Sequence, residues 1–165
     1  MEKKLNSILI IMGVAGCGKT VIGKMLANSL NYLFVDADEF HSHEHKAKMS
    51  AGISLTDSDR KIWLNFLHEE ITKWQSNGLK VVLACSALKE SYRINLAQDG
   101  DVHFIYLKGS KELISQRLKL RQGHFVDQRL LDSQFDTLEE PRNATTVAID
   151  NSPESIVKFI LQVIM

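Results

Sequence analysis

The sequence has few cysteines, no excess of either charge and no long apolar run. Only two cysteines, Cys17 and Cys85, occur in 165 residues, so a reducing compartment, the cytoplasm, is expected. Twenty basic side chains balance 20 acidic ones, which argues against a general nucleic-acid binder. No run approaches the roughly 18 apolar residues of a membrane span. The first apolar run is broken at once by Gly13, which argues against a signal peptide.

Apolar runs and helical patterns alternate along the chain. The apolar run within 7–12 shows no alternation, which is typical of a strand buried on both faces of a parallel sheet. We expect another buried strand at 81–84 and further strands at 33–35, 102–107 and 145–149. The alternation predicts an α/β fold with helices on both sheet faces, in one domain over 1–165. Two irregular stretches, about 39–56 and 122–131, would lie at the edge where ligands bind.

Capping signals and apolar spacing locate the helices. Thr56-Asp-Ser-Asp59 opens a long helix that Asn77-Gly78 closes. Its expected apolar face comprises Ile62, Trp63, Phe66, Leu67, Ile71 and Trp74. Further helices are expected from 86 to 98, after Ser110, up to about Glu140 and after Ser152-Pro153.

The most specific motif is a phosphate loop between the first strand and a helix from about Lys19. It reads G-V-A-G-C-G-K-T and matches G-x-x-x-x-G-K-[ST] at every fixed position. Its backbone N–H groups and the helix dipole would face an anion, Lys19 would reach the β- and γ-phosphates of ATP, and Thr20 would bind Mg²⁺. The alternative is a glycine-rich turn that matches by chance. Lys19 and Thr20 could then be a solvated first helical turn, but this leaves three glycines unexplained. The expected nucleotide-binding residues are Gly13, Val14, Ala15, Gly16, Cys17, Gly18, Lys19 and Thr20.

Two carboxylates follow the second predicted strand. Asp36 and Asp38 are two residues apart, so in an extended chain both would project to one side, beside the phosphate loop. A phosphotransferase needs one carboxylate near the metal and another that orients the attacking hydroxyl and receives its proton. We assign Asp36 to the metal, with Thr20, and Asp38 to the acceptor hydroxyl. A solvated turn is the alternative.

Three histidines, His41, His43 and His45, follow at alternate positions. On an extended segment their imidazoles could present together to a metal such as Zn²⁺. No cysteine or further ligand signature lies nearby, so a solvated loop is favoured for His43 and His45.

Further charged residues could surround an acceptor. Lys48, Asp59 and Arg60, together with Asp38, would make a polar pocket suited to a carboxylate or a polyol. Taken singly, each is an ordinary surface charge. Ser86 follows the third strand and is expected as a helix N-cap, with a substrate contact as the alternative.

Arginines occur where the second irregular stretch begins. Arg117 and Arg121 are four residues apart, hence on one helical face. Closing over ATP, they would stabilise charge on the transferring phosphoryl group. The alternative is a solvated helix face.

Several short runs add a family resemblance. They are Lys48-Met49, Gly52, Leu55-Thr-Asp57, Asp59-Arg60, Trp63-Leu64, Cys85-Ser-Ala-Leu-Lys89, Tyr92-Arg93, Gly123-His-Phe125, Ser133-Gln-Phe135 and Leu138-Glu-Glu-Pro141. With the phosphate loop, they resemble the small P-loop gluconate kinases over nearly the whole chain. Departures from the family pattern cluster in the acceptor half, at Ala37, Ser42, His45, Ser54 and Ile62.

The resemblance implies a shikimate-kinase-like fold: a five-stranded parallel sheet of order 2-3-1-4-5, an acceptor-binding insertion at about 39–76 and a lid at about 122–133. It implies ATP- and Mg²⁺-dependent phosphorylation of D-gluconate on its 6-hydroxyl, usually in a homodimer, without nucleic-acid or membrane partners. The implied roles are catalysis by Lys19, Asp38, Arg117 and Arg121, metal binding by Thr20 and Asp36, and substrate binding by Asp38, His41, Lys48, Asp59, Arg60 and Ser86. Alternatives are a same-fold kinase for another sugar acid or shikimate, and a non-catalytic nucleotide-binding regulatory module.

Overall fold

The structure, a computed structural model, describes residues 4–53, 55–121 and 128–165. Its strands are β1 (Ile8–Met12), β2 (Leu33–Asp36), β3 (Val81–Ala84), β4 (Val102–Lys108) and β5 (Thr145–Ala148). Its helices are α1 (Lys19–Leu30), α2 (His43–Ser50), α3 (Asp57–Ser76), α4 (Glu90–Leu96), α5 (Lys111–Leu120), α6 (Gln128–Thr137) and α7 (Pro153–Ile164), with a 3₁₀ turn over Ala37–Phe40.

The strands form one parallel sheet in the order β2-β3-β1-β4-β5, which confirms the predicted fold. In β1 at the centre, Ile10 lies beside Leu83 of β3 and Phe104 of β4. Because parallel strands end at the same edge, the segments after β1, β2 and β3 converge there.

Alternate residues of β1 supply two apolar cores, one on each sheet face. Leu9 and Ile11 pack with the buried sides of α1, α5, α6 and α7. Ile8, Ile10 and Met12 pack with α3 and α4. The sheet is therefore covered on both faces, as predicted.

Several predicted helix ends are confirmed. Thr56 and Asp59 form a reciprocal capping box at the start of α3. Ser110 and Ser152 accept hydrogen bonds from Leu113 N and Ser155 N at the starts of α5 and α7. These side chains satisfy backbone donors that a helix leaves unpaired at its first turn.

The predicted apolar face of α3 is partly wrong. Trp63, Leu67 and Ile71 are buried, but Ile62 is 69% exposed and Phe66 is 43% exposed. Ile62 and Phe66 lie on the adjacent ridge of the helix, about 100° round from the residues that meet the sheet.

Several predicted boundaries also differ. The stretch at 39–56 contains the 3₁₀ turn and α2, which Ser42 caps through His45 N. The helix expected from 86 begins at Glu90, because the preceding chain turns through Ala87 at φ 45°. The helix expected to reach about Glu140 is α6, which ends at Thr137, and it begins inside the stretch predicted as irregular at 122–131. Within the predicted lid, 128–133 belong to α6, whereas 122–127 lie outside the described residues.

None of the helices in the described ranges has the length and apolar character that crossing a bilayer requires.

Leu67→Ala is expected to lower the free energy of unfolding by about 3 kcal/mol, because it removes a fully buried side chain from the α3 core. Ile62→Ala, on the exposed ridge of the same helix, should change it by less than about 0.5 kcal/mol. Urea denaturation of both variants measures the difference. Equal losses would contradict the burial assigned to the two positions.

Candidate active site

The phosphate loop, Gly13–Thr20, joins β1 to α1 in a conformation that requires glycine. Gly16 has φ +79°, and a Cβ atom there would lie 2.8 Å from the Leu118 side chain. Lys19 Nζ donates hydrogen bonds to the carbonyls of Gly13 and Val14, both at 3.0 Å. The lysine therefore lies over its own loop, as phosphate binding requires.

Oxygen atoms suited to a cation lie beside the loop. Thr20 Oγ1 donates to Asp36 Oδ2 at 3.3 Å. In the described part of the chain, no group of three or more His, Cys, Asp or Glu side chains could hold a metal ion. A Mg²⁺ ion fits here with ligands completed by phosphate and water, which is its usual coordination in proteins.

The chain does not stay extended through Asp38. Asp36 Oδ1 accepts a hydrogen bond from Asp38 N at 3.0 Å, and the chain enters the 3₁₀ turn Ala37–Phe40. Both carboxylates nevertheless line the same cavity. The Asp38 side chain is 72% exposed to solvent, and partial desolvation, with the charge of Asp36, raises its pKa.

A cavity of about 380 Å³, called the central cavity here, lies in front of the phosphate loop. Its volume falls within the range of small-molecule sites. The predicted residues that line it are Ala15, Gly16, Gly18, Lys19, Thr20, Asp36, Asp38, His41, Arg60, Ser86 and Arg121, and Trp63, Tyr92 and Gln134 join them. Residues predicted to bind the nucleotide and residues predicted to bind the acceptor therefore line one cavity.

His41 is buried and neutral at physiological pH. Its ring stacks on the Trp63 indole, with centroids 4.2 Å apart, and its Nε2 lies 3.7 Å from Asp38 Oδ1. Burial, with the charges of His45, Lys46 and Arg60, lowers the pKa of His41 to about 4. Trp63, expected as a core residue, also donates its indole N–H to Ala37 O at 3.3 Å.

Lys48 and Asp59 pair with each other and, among the described residues, do not line the central cavity. Lys48 Nζ lies 3.1 Å from Asp59 Oδ2, and His45 Nε2 lies 3.4 Å from Asp59 Oδ1. A hydrogen bond from Thr56 N and another from Lys48 lower the pKa of Asp59 to about 2. His45 therefore fastens α2 to α3, and the interpretation of His45 as part of a solvated loop is wrong.

Arg60 is held at the cavity wall by Tyr92. Its guanidinium lies 6.0 Å from the Tyr92 ring centroid, and Nη1 is 3.5 Å from the Tyr92 hydroxyl. That hydroxyl donates to Asp57 Oδ1 at 3.0 Å. Tyr92 occurs in one of the short runs that carry the family resemblance, but the sequence predicts no role for this residue.

Ser86 belongs to the segment between β3 and α4, so the N-cap prediction for it is wrong. Its carbonyl accepts a hydrogen bond from Gly13 N at 3.2 Å, which joins this segment to the phosphate loop. Buried Arg93 donates to the carbonyls of Ala87 at 2.8 Å and Leu88 at 3.1 Å. These bonds hold the strained Ala87 and keep Ser86 at the cavity.

Arg117 and Arg121 do not share a helical face. Arg121 follows the end of α5 with an extended backbone, whereas Arg117 lies within α5 and donates to Ile149 O. Both nevertheless line a pocket of about 200 Å³ beside Gly16 and Gly18. Arg121 also reaches the central cavity.

A parallel α/β sheet with a phosphate loop after its central strand, opposite a polar cavity, defines a P-loop kinase that acts on small molecules. The shikimate kinase family model matches residues 15–164. A probable gluconokinase of Xenopus tropicalis is 47% identical over 150 residues, covering 81% of this chain and 79% of that protein.

Two further relatives match over most of both chains. The thermoresistant gluconokinase of Escherichia coli K12 is 38% identical and covers 96% of this chain and 94% of that protein. The crystal structure of a gluconokinase from Sinorhizobium meliloti 1021 superposes with a TM-score of 0.86 at 36% identity, covering 96% and 91% of the two chains. The chain belongs to the gluconokinase family.

The pKa of His41 gives a prediction for stability against pH. Its folded pKa of about 4 lies below the ordinary value of 6.5. The unfolded chain therefore binds a proton as pH falls below 6.5, the native protein does not, and stability is lost as pH falls towards 4. His41→Phe removes this proton while keeping a ring on Trp63. Between pH 7.5 and pH 5 the Tm of the wild type should fall further than the Tm of this variant, and the two falls should differ by roughly 5 °C.

Exposed His43→Phe is the matched control and should retain the wild-type dependence. Thermal unfolding followed by circular dichroism at each pH makes the comparison. Parallel curves for all three proteins would contradict a neutral buried His41.

Proposed function

We propose that the protein is a gluconokinase, which transfers the γ-phosphoryl group of ATP to the 6-hydroxyl of D-gluconate. The observation that carries the proposal is the single cavity in which Lys19 of the phosphate loop faces Asp36, Asp38, His41 and Arg60. Membership of the gluconokinase family supplies the acceptor. The uncharged His41 and the cation Arg60 suit the hydroxyls and the carboxylate of a sugar acid.

In the proposed reaction the acceptor hydroxyl attacks the γ-phosphorus atom as the bond to the β–γ bridging oxygen breaks. Asp38 orients the hydroxyl and receives its proton, a role that the raised pKa of this carboxyl favours. Mg²⁺ held by Thr20 and Asp36 would neutralise charge on the phosphates. Lys19 holds the β- and γ-phosphates, and ADP leaves with the former bridging oxygen.

The remaining predicted residues take supporting roles in this proposal. Arg121, which lines both the central cavity and the pocket beside the loop, stabilises charge on the transferring group, and Arg117 lines that pocket with it. Ser86 and His41 contact the acceptor. Lys48 and Asp59 act on the acceptor through the position of α2, since they pair with each other.

We also infer that the chain acts as one domain and as a cytoplasmic homodimer. One sheet with an apolar core on each face supports the single domain. The dimer is proposed from family resemblance, and a molar mass measured by light scattering would test it.

The protein is expected to release ADP from Mg·ATP with saturable dependence on D-gluconate, because the cavity accommodates a sugar acid beside the phosphate loop. A coupled ADP assay with gluconate, other sugar acids and shikimate measures this. Turnover on another acid but none on gluconate would assign a different acceptor. Nucleotide binding without turnover on any acid would favour a regulatory module.

Asp38→Asn is expected to lower kcat by about 100-fold or more, because an amide can hydrogen-bond to the hydroxyl but cannot accept its proton. Glu39→Gln, the adjacent exposed carboxylate in the same 3₁₀ turn, is the matched control and should leave kcat unchanged. Steady-state kinetics with saturating ATP and gluconate compares the two. A normal kcat for Asp38→Asn would remove this residue from the role of base.

A further inference from the structure

A side chain from α6 contacts the phosphate loop itself. Gln134 Oε1 accepts a hydrogen bond from the backbone N–H of Ala15 at 2.6 Å, across 119 residues of sequence. Ala15 is the third residue of the loop, and its N–H belongs to the set of backbone donors that surround nucleotide phosphates in such loops. Gln134 therefore lies among the groups that would hold the phosphates.

The orientation of the Gln134 carboxamide follows from the chemistry of its partner. A backbone N–H can only donate, so the side-chain atom that faces it must be the oxygen. The amide nitrogen Nε2 carries two N–H donors. Within the ranges 4–53, 55–121 and 128–165 no residue accepts a hydrogen bond from it, and Gln134 lines the central cavity.

The position of Gln134 is set by the packing of α6 and by the segment that follows it. Leu131, one turn before Gln134, is 1% exposed in the core beneath the loop. After α6, Glu139 N donates to Leu88 O at 2.8 Å, and Arg93 Nη2 donates to Glu139 O at 2.9 Å. The contact between Gln134 and Ala15 therefore comes from a side chain on a fixed helix.

We propose that Gln134 binds the phosphoryl group in transfer: its oxygen stays on Ala15 N–H, and its Nε2 donates to an oxygen of the γ-phosphoryl group. The proposal rests on the proposed kinase function and adds a neutral donor to the charged groups Lys19 and Arg121. It predicts that Gln134 distinguishes ATP from ADP, because only ATP has the phosphoryl group that this donor binds.

Gln134→Glu separates this role from simple attachment of α6 to the loop. A carboxylate can still accept the Ala15 hydrogen bond, but it replaces two donors with an anionic oxygen facing the phosphates. The Kd of the Mg complex of AMPPNP, a non-hydrolysable ATP analogue, should rise by about tenfold or more, while the Kd of Mg·ADP should change by less than about threefold. The kcat with gluconate should fall by about 100-fold.

Gln116→Glu, the same change at an exposed position of α5, is the matched control and should alter none of these quantities. Gln134→Met is a second, uncharged variant of similar shape that carries the test if the glutamate variant does not fold. It should also weaken AMPPNP binding relative to ADP. Isothermal titration calorimetry supplies both Kd values, and thermal unfolding checks each variant.

Three results would overturn the proposal. If Gln134→Glu kept the Kd values and kcat of the wild type, the side chain would only attach α6 to the phosphate loop. Equal weakening of ADP and AMPPNP would indicate a distorted loop. Tighter AMPPNP binding in Gln134→Met would show that the side chain competes with the nucleotide for Ala15. Since both titrations need no acceptor, they decide the role of Gln134 even where the wild type fails to phosphorylate gluconate, a failure that would count against the proposed function alone.

Discussion

The site depends on the central position of β1 in the sheet. This strand pairs with β3 on one side and β4 on the other, and all five of its residues are buried. The phosphate loop therefore begins from a backbone that is fixed by two ladders of hydrogen bonds and by both apolar cores. Because every strand runs in the same direction, the ends of β2 and β3 reach the same edge. They bring Asp36 and Ser86 to the loop.

The wall opposite the loop is held to α3 by two kinds of interaction. One is the stack of His41 on Trp63, which places a neutral ring in an apolar setting. The other is the pair of Lys48 with Asp59, whose carboxylate also caps α3. A partly exposed ion pair contributes little alone, but here it shares its carboxylate with a helix cap. One helix, α3, therefore positions the segment that runs from the 3₁₀ turn through α2.

Sequence reasoning succeeded where the determining signal is local. The alternation of strand-like segments with helical patterns predicted the five strands, and glycine spacing predicted the phosphate loop, because both signals depend on residues close together in the chain. It failed for α2, which buries no residue and is held by Asp59 from a later helix. It failed for Ile62, because the spacing of α3 allows two neighbouring apolar ridges and only packing selects one. The role of Gln134 had no local signal, since its partner lies 119 residues away.

Beside the phosphate loop, positively charged side chains occur together with directed hydrogen-bond donors. Arg93 donates to backbone carbonyls on both sides of the cavity edge, at Ala87 and Glu139, so the segments it joins are fixed independently of their side chains. The amide donor of Gln134 lies on a helix next to these fixed segments, so it needs little rearrangement when charge develops on a phosphoryl group. Little rearrangement is the condition for effective electrostatic stabilisation. Lys19 and Arg121 already supply positive charge at the cavity. Arg60 is a third cation in this cavity. A neutral amide at position 134 adds a directed hydrogen bond without the desolvation cost of a fourth cation, which favours glutamine over lysine or arginine there.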